Sequence, residues 1–409
     1  MKMDLSKNKT YLEVFRLLRA ALFPADGEQP QHLEDWNAVF REMQAQSVAA
    51  LPYAWLKEQR EREPEVYSAW LTRCLQSQAR WVKVMSGQSQ LLALLEENGI
   101  ECVILKGAAA AMAYPNPSLR QMGDVDFLVR RSDRDRAAAI LEENGYSLEH
   151  EKDEKSHHYG YTKGGISFEL HWRVGVVHDS NEKLLSLFEE GIARREIRET
   201  GTFSFPVLPV ELNGLALVFH INQHLRSGLG LRQIIDWMMY VDQLSDAAGV
   251  WTEKLRPLLR ETGMEKLALC VSVMCQRFLG LPKTLDGCET VDPAVCGELM
   301  SYIMEKGNFG RKSGKTGKIS SVYLDMSNPF RVIKRLQKGG MTRWKAAKKH
   351  RILRPFAWAY QAGSIRRELK RNHISAKEMS NQHAQGVRQR ELMKALGLDV
   401  ERSIGARTS

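Results

Sequence analysis

The segment Asp124-Val125-Asp126 constrains this chain more than any other feature, because it sets two acids in an apolar run that ends at Val129. In a β-strand, residues two apart point to the same face of the sheet. Asp124 and Asp126 are therefore predicted to share one face, while Val125 and Phe127 point into a core. Carboxylates this close repel each other unless a cation neutralises them, and hard divalent cations prefer oxygen ligands. The segment predicts a Mg²⁺ site and metal-dependent phosphate chemistry.

The overall composition is that of an ordinary globular chain. Its 409 residues suffice for two or three compact units, and 43% hydrophobic with 26% charged residues is typical of a soluble protein. The sequence contains no apolar run of about 18 residues, and its first residues lack the apolar core of a signal peptide. We therefore expect a cytoplasmic protein. The six scattered cysteines form no Cys-x-x-Cys pair, which favours reduced core thiols over disulfides or a zinc site.

Positive charge is concentrated near the C-terminus. Residues 331–371 contain fourteen lysines and arginines but only one acid, Glu368, and aromatic residues lie among them. This mixture fits an anionic membrane surface or an acidic polymer, and nucleic acid less well. A solvated helical face is the plainer alternative. We accordingly also consider peripheral attachment at the inner face of the membrane.

Hydrophobic periodicity separates helical regions from a mixed one. Helical spacing runs through the first part of the chain and returns after Pro209, whereas the window 100–175 alternates short strands and helices. In that window, two β-prone stretches flank Lys163-Gly164-Gly165 and predict a hairpin. We predict four regions: a helical region 1–85, a mixed α/β core 86–205, a helical domain 206–310 that packs on this core, and a basic, partly flexible region 311–409.

A third acid lies on the second strand of the predicted hairpin. The segment 167–172 alternates apolar and polar residues, so Glu169 and His171 are predicted to share the open face of the sheet. We expect His171 to support the site or to bind the acceptor. Together with Asp124 and Asp126, Glu169 completes a set of three carboxylates, which can hold two Mg²⁺ ions about 4 Å apart.

Basic residues accompany these acids. The turn at Lys106-Gly107, between a predicted strand and a helix, offers backbone N–H groups and a lysine charge to a phosphate. Arg120 is predicted either to pair with Asp124 or to bind a triphosphate. Arg232 precedes Asp236 by one helical turn, which predicts an ion pair, with a nucleotide contact from Arg232 as the alternative.

The chain resembles the bacterial family of uncharacterised nucleotidyltransferases, part of the polymerase-β-like superfamily, over roughly residues 10–310. The resemblance rests on four motifs in this order: Leu105-Lys106-Gly107, Tyr114-Pro115, Arg120-x-x-x-Asp124-Val125-Asp126 and Glu169-Leu170-His171-Trp172.

The resemblance implies an α+β fold, with a small mixed sheet of polymerase-β-like nucleotidyltransferase type embedded in N- and C-terminal helical regions. It implies a Mg²⁺-dependent enzyme that transfers NMP from an NTP to an unknown acceptor. Many members occur near genes for surface polysaccharides, which implies a link to their biosynthesis. The implied site has two groups: Asp124, Asp126 and Glu169 as catalytic acids and ligands of two Mg²⁺ ions, and Lys106, Gly107, Arg120 and Arg232 around the nucleotide.

The chain also departs from the superfamily pattern. Lys106-Gly107 replaces the usual Gly-Ser pair, so the phosphate-binding hydroxyl is missing, and the third acid is Glu169 where aspartate is common. These departures leave a second hypothesis open, in which the chain is a nucleotide-sensing or antitoxin-like binding protein on the same fold.

Overall fold

A computed structural model describes residues 5–398 apart from 25–32, 62, 153–155, 176–180, 226–227, 245–248, 309, 311, 313–328 and 372–375. The chain divides into two compact units, Met1–Arg311 and Lys312–Ser409. The first unit contains all of the acids and basic residues that the sequence predicts for the site.

The first unit begins with helices. Asn8 and Asp35 accept hydrogen bonds from backbone N–H groups in the first turns of the first two helices, which satisfies donors that a helix leaves unpaired. The helices are α1 (Lys9–Leu22), α2 (Trp36–Ala45), α3 (Tyr53–Lys57) and α4 (Pro64–Glu97). The predicted boundary between residues 85 and 86 falls inside α4. The helix passes that boundary because its stop signal comes only at Asn98-Gly99, where Gly99 takes a φ of +63°.

One seven-stranded mixed sheet follows, in the spatial order β3-β4-β5-β2-β1-β7-β6. Its strands are β1 (Cys102–Leu105), β2 (Val125–Val129), β3 (Ser147–Leu148), β4 (His158–Lys163), β5 (Ile166–His171), β6 (Glu196–Thr200) and β7 (Phe203–Val207). The predicted α+β class is confirmed by this sheet and its surrounding helices.

The register of the central strands brings the predicted site together. β2 pairs antiparallel with β1, which sets Asp126 opposite Leu105. β2 also pairs in parallel with β5, which sets Asp126 beside Glu169 and Leu128 beside His171. The register alone therefore brings two acids and a histidine to one face of the sheet. Lys106 directly follows β1, where its φ of +46° ends the alternation of the strand, and its amine contacts Asp126.

The predicted hairpin is confirmed. β4 and β5 pair antiparallel, and the turn between them contains Gly164 at φ +59° and Gly165 at φ +71°. Positive φ at both central residues defines a type I′ turn, which matches the twist of a hairpin and favours glycine. A second hairpin, β6–β7, was not predicted, because β6 is charged and largely exposed and Pro206 interrupts the β pattern of its partner.

The opposite face of the sheet packs on two helices, α4 and α6 (Arg134–Glu143), whereas α5 (Gly107–Ala111) follows β1 directly. Val125 and Phe127 lie in this core, as predicted, together with Phe168 of β5. The pattern of β2 therefore separates a dry apolar face from the face that carries Asp126.

The remaining helices of the first unit match most of the predicted helical segments. They are α7 (Glu182–Ala193), α8 (Val210–His224), α9 (Leu231–Asp242), α10 (Arg256–Glu261), α11 (Glu265–Leu279) and α12 (Pro293–Lys306). The segment before α10 is a π-helical turn, Val250–Leu255, that follows Gly249 at φ +58°. All six cysteines are free and buried, as predicted.

The second unit is helical. Gly340 lets α13 (Pro329–Arg343) approach α15 (Ala357–Arg371) closely, because a Cβ at Gly340 would lie only 1.9 Å from the carbonyl oxygen of Ala357. Between them lies α14 (Lys345–Lys349), and α16 (Ala376–Ala395) forms a helix in the region predicted to be partly flexible.

Two of the aromatic residues among the basic ones pack within this unit, because Trp344 and Tyr360 stack with ring centroids 4.9 Å apart. Ile352 and Phe356, by contrast, are exposed. Among the described residues, no helix is both long enough and apolar enough to cross a membrane.

Glycine tolerance offers a test of the helical packing around α8. A Cβ at Gly214 would lie 2.4 Å from Tyr240 Oη and 2.7 Å from Leu255 Cδ2, whereas a Cβ at Gly297 in α12 would meet nothing within 4 Å. We expect Gly214→Ala to lower the free energy of unfolding by about 1–3 kcal/mol through overpacking. Gly297→Ala should raise it by up to about 1 kcal/mol. Urea denaturation measures both, and equal effects would contradict this packing.

Candidate active site

Asp126 lies at the centre of a buried charged cluster. Its Oδ1 accepts a hydrogen bond from Lys106 Nζ at 2.9 Å and lies 2.9 Å from His171 Nε2. The same His171 nitrogen lies 3.2 Å from Glu169 Oε2. The side chain of Glu169 is 27% exposed, whereas that of Asp126 is 6% exposed, so Glu169 is the more accessible of these two acids. The structure thus brings together Asp126, Glu169 and His171, which the sequence predicts on open strand faces, and Lys106, which it predicts in the turn after β1.

Lys106 has an unusual backbone conformation. Its φ is +46°, a region that residues with a side chain rarely occupy and that costs of order 1–3 kcal/mol. The residue is only 9% exposed and caps the short helix α5. The sequence predicts a phosphate contact for its amine, and the structure places that amine on Asp126. A strained backbone conformation persists only where surrounding contacts hold the residue in place. The ion pair with Asp126 is one of the contacts that hold Lys106.

The groups of the cluster favour one another's charged forms. Burial alone would raise the pKa of Asp126, but Lys106 and His171 hold that pKa well below its ordinary value. Burial opposes the charge on Lys106, and Asp126 with Glu169 nevertheless raises the pKa of its amine. In the same way, the hydrogen bonds to Asp126 and Glu169 raise the pKa of His171 against the effect of burial. The carboxylates are thus balanced by cations of the protein itself.

Asp124 lies just before β2 and belongs to the edge of this cluster. The charge of Asp126, followed by burial, raises the pKa of Asp124, while Lys106 and Arg232 act in the opposite direction. Arg232 donates from Nη1 to the backbone carbonyl of Gln121 at 3.1 Å. A guanidinium is therefore fixed beside the loop that carries Asp124, where it adds positive charge to the site.

Arg120 has a partner other than those predicted. Its Nε and Nη2 donate to Asp236 Oδ1 at 2.7 Å and Oδ2 at 2.6 Å, and both residues are almost completely buried. Tyr114 Oη donates to Asp236 Oδ1 as well, at 2.7 Å. The prediction that Arg120 pairs with Asp124 is therefore replaced by a bidentate pair between Arg120 and α9. Asp236, the predicted partner of Arg232, is thus engaged by both Arg120 and Tyr114.

Two further histidines lie beside the cluster, and the sequence reasoning missed them. His158 lies directly opposite His171 in the hairpin, with ring centroids 5.1 Å apart, and His157 precedes it. Burial lowers the pKa of His158, and burial together with its two histidine neighbours lowers that of His157 to about 2. The predicted hairpin already contained the signal, because its register sets a histidine of each strand face to face.

Helix α8 also borders the site. Burial, followed by the charge of Lys106, lowers the pKa of His220 well below its ordinary value, and Asp126 acts on the same ring. The rings of His220 and His224 contact each other edge to face, with centroids 4.4 Å apart. A helix of the 206–310 region therefore lies near the acids.

The donor set suits a divalent cation. Asp126, Glu169 and His171 each offer one ligand atom within 4.8 Å of the other two. Two oxygens on one Mg²⁺, each about 2.1 Å from the ion, are at most about 4.2 Å apart, so small side-chain adjustments would bring this set to coordination distance. Lys106 engages one oxygen of Asp126, and a cation therefore shares this carboxylate with the lysine. Asp124 is not part of this three-residue group, but it directly precedes β2 and adds a further carboxylate at the start of that strand.

A comparison with known families agrees with these motifs. A family described as uncharacterised nucleotidyltransferase matches residues 32–280, which is more than half of the chain. The chain belongs to this uncharacterised nucleotidyltransferase family. The resemblance inferred from the motifs is confirmed, and the family supports nucleotidyl transfer as the general class of activity. No curated protein matches the chain.

The buried ion pair can be tested by stability. Removing one partner of such a pair leaves an uncompensated charge, so we expect Lys106→Met to lower the free energy of unfolding by about 3 kcal/mol. Lys9→Met removes an equally close but exposed pair with Glu34, where solvent screens the charges, and should cause no resolvable change. Urea denaturation of the two variants checks this, and similar losses would argue against a buried cluster at Asp126.

Proposed function

We propose that the chain is a Mg²⁺-dependent nucleotidyltransferase that moves NMP from an NTP to a hydroxyl or phosphate acceptor, on a sheet of polymerase-β-like type. The observation that carries the proposal is the register of β2 and β5, which sets Asp126 beside Glu169 on one face. Membership of a nucleotidyltransferase family supports the reaction class.

In this proposal, Asp124, Asp126 and Glu169 hold the metal. Mg²⁺ bound there would neutralise phosphate charge and make the attacking oxygen more nucleophilic. His171, within hydrogen-bond reach of both Asp126 and Glu169, keeps the two carboxylates oriented towards each other. Glu169 is more accessible than Asp126 and His171, so the acceptor approaches from its side, where Glu169 serves as base or as metal ligand.

Basic groups around the acids bind the nucleotide. Arg232 adds positive charge beside the loop before Asp124, and Lys106 shares its charge between Asp126 and a phosphate. Gly107, which has no side chain, begins α5. A Cβ added there would lie 3.5 Å from the backbone carbonyl oxygen of Asp124. Arg120 has no role in binding phosphate here, because Asp236 engages its guanidinium. Phosphoryl-type transfer depends mostly on such positioning and charge neutralisation.

One observation favours the second candidate, a nucleotide-sensing or antitoxin-like binding protein. Lys106 and His171 already balance Asp126 without a metal. A site that is neutralised in this way can bind a nucleotide and change conformation without transferring it.

A labelling experiment separates the two candidates. The full-length chain is incubated with Mg²⁺, each α-labelled NTP and a cell extract that includes surface-polysaccharide precursors. We expect transfer of label by the wild type and at least a hundredfold loss in Glu169→Gln, because one carboxylate of the metal set is removed. Asp135→Asn, which alters an exposed acid paired with Arg134, is the matched control and should retain activity.

Thermal melting in the presence of Mg²⁺ and NTP accompanies this assay. Stabilisation of the wild type without transfer would favour the sensor. Transfer that persists in a folded Glu169→Gln variant would remove Glu169 from the mechanism. Equal stabilisation of wild type and Asp126→Asn would argue against the metal site as a whole.

We also propose a cytoplasmic protein whose basic region 331–371 contacts the inner membrane face. Ile352, which is exposed next to Arg351, supports lipid over nucleic acid, because an aliphatic side chain suits a headgroup boundary and cannot stack on bases. The exposed ring of Phe356 suits either partner.

Vesicle co-sedimentation tests this contact. Replacing both Ile352 and Phe356 by Glu should weaken binding to phosphatidylserine vesicles more than about tenfold, because each large apolar side chain contributes at least about 1.5 kcal/mol when buried. Ile197→Glu, a similarly exposed site on β6, is the control and should bind normally. Unchanged binding in the double variant would assign the region to a solvated helical surface.

A further inference from the structure

Three imidazoles converge at one end of the β4–β5 hairpin. The register sets His158 directly opposite His171, and His157 immediately precedes β4. The ring centroid of His157 lies 4.5 Å from that of His158 and 5.6 Å from that of His171. One nitrogen of each ring lies within 4.8 Å of the other two. Nitrogens on one Zn²⁺, each about 2.0–2.1 Å from the ion, are at most about 4.2 Å apart, so small side-chain rotations suffice to reach this geometry.

The two nitrogens of His171 have different surroundings. Nε2 lies 2.9 Å from Asp126 Oδ1 and 3.2 Å from Glu169 Oε2, whereas the buried Nδ1 has no hydrogen-bond partner among the described residues. A metal-bound histidine usually donates its other ring N–H to a carboxylate. His171 therefore has the hydrogen bonds of a metal ligand on one side and an unsatisfied nitrogen on the other.

His158 shares one of these two features, the unsatisfied nitrogen. Its Nε2 lies 3.7 Å from Glu169 Oε1, and its buried Nδ1 also has no hydrogen-bond partner in the described part of the chain. Its side chain is 28% exposed, so an ion has a route from solvent to the three rings.

We propose that His157, His158 and His171 form a binding site for a late first-row divalent cation such as Zn²⁺, with His171 binding through Nδ1. Imidazole nitrogens suit Zn²⁺, Ni²⁺ and Co²⁺, whereas Mg²⁺ prefers carboxylate oxygens. The nitrogen site is therefore separate from the acid site, although the two share His171. Asp126 and Glu169 accept hydrogen bonds from its Nε2 and act on the ion only through that ring.

Because it includes His171, this cation site acts on the neighbouring acids. A cation on Nδ1 fixes the ring of His171, which in turn fixes the two acids that its Nε2 contacts. The proposal of this cation site depends only on contacts within and beside the hairpin. It can therefore be correct whether or not the chain transfers nucleotides.

Metal titration of the full-length chain tests the proposal. The protein is stripped with EDTA, dialysed at pH 8, and titrated with Zn²⁺ by calorimetry and with Co²⁺ by visible absorption. We expect one Zn²⁺ per chain at this site and a Co²⁺ spectrum without thiolate charge-transfer bands. His157→Ala should weaken Zn²⁺ binding by more than about tenfold, since even the loss of an outer-shell contact to a metal ligand costs that much.

Three variants complete the design. His157→Phe keeps a ring in place but removes the nitrogens, so it should lose Zn²⁺ as His157→Ala does even if the alanine variant folds poorly. His150→Ala, an exposed histidine on the connection before β4, should bind normally. Asp126→Asn removes an outer-shell contact of His171 and should weaken Co²⁺ binding by about tenfold. At saturating Co²⁺ its absorption spectrum should nevertheless match that of the wild type, because Asp126 is not a ligand. Wild-type Zn²⁺ affinity in both His157 variants, thiolate bands, or an altered spectrum of Co²⁺-saturated, folded Asp126→Asn would overturn the proposal.

Discussion

The pairing of β2 with its two neighbours is the constraint on which the rest of the structure depends. The parallel register with β5 sets Asp126 beside Glu169, and the antiparallel register with β1 sets Asp126 opposite Leu105, the residue before Lys106. Side chains alternate faces with a period of two, so a slip of one residue would turn the acids into the apolar core and Phe127 out of it. The hydrophobic pattern that builds the core therefore also fixes the position of the charged groups.

The charged face is stable because its charges balance one another. A carboxylate buried without a partner would cost several kcal/mol, and here Lys106 and His171 both contact Asp126. Arg120 and Asp236 repeat the arrangement, and they tie the segment before β2 to α9. These two pairs hold the acids in place before any ligand arrives. Under the proposed function, a metal or a phosphate would enter a site that protein cations already balance.

Much of this could be predicted from sequence where the determining interactions are local. Alternation gave β2 and β5, Gly164-Gly165 gave the hairpin, and helical periodicity gave α8 and α9. The partner of Arg120 could not be predicted, because Asp236 is distant in the chain and only tertiary packing selects it. The placement of Lys106 on Asp126 depends in the same way on a non-local register. β6 was not predicted, because an exposed, charged edge strand lacks a hydrophobic pattern.

The long helix α4 has a consequence for how such a chain can vary in length. At about 1.5 Å per residue its 34 residues span roughly 51 Å. Trp70 packs against Trp36 and Trp55 in the N-terminal helical layer, whereas Gly87 faces Ile166 of the sheet. One inserted or deleted residue between these anchors would rotate one against the other by about 100°. An insertion or deletion within this part of α4 would therefore break one of the two sets of contacts. The number of residues between Trp70 and Gly87 is thus fixed by packing at both ends, whereas the loops carry no such constraint.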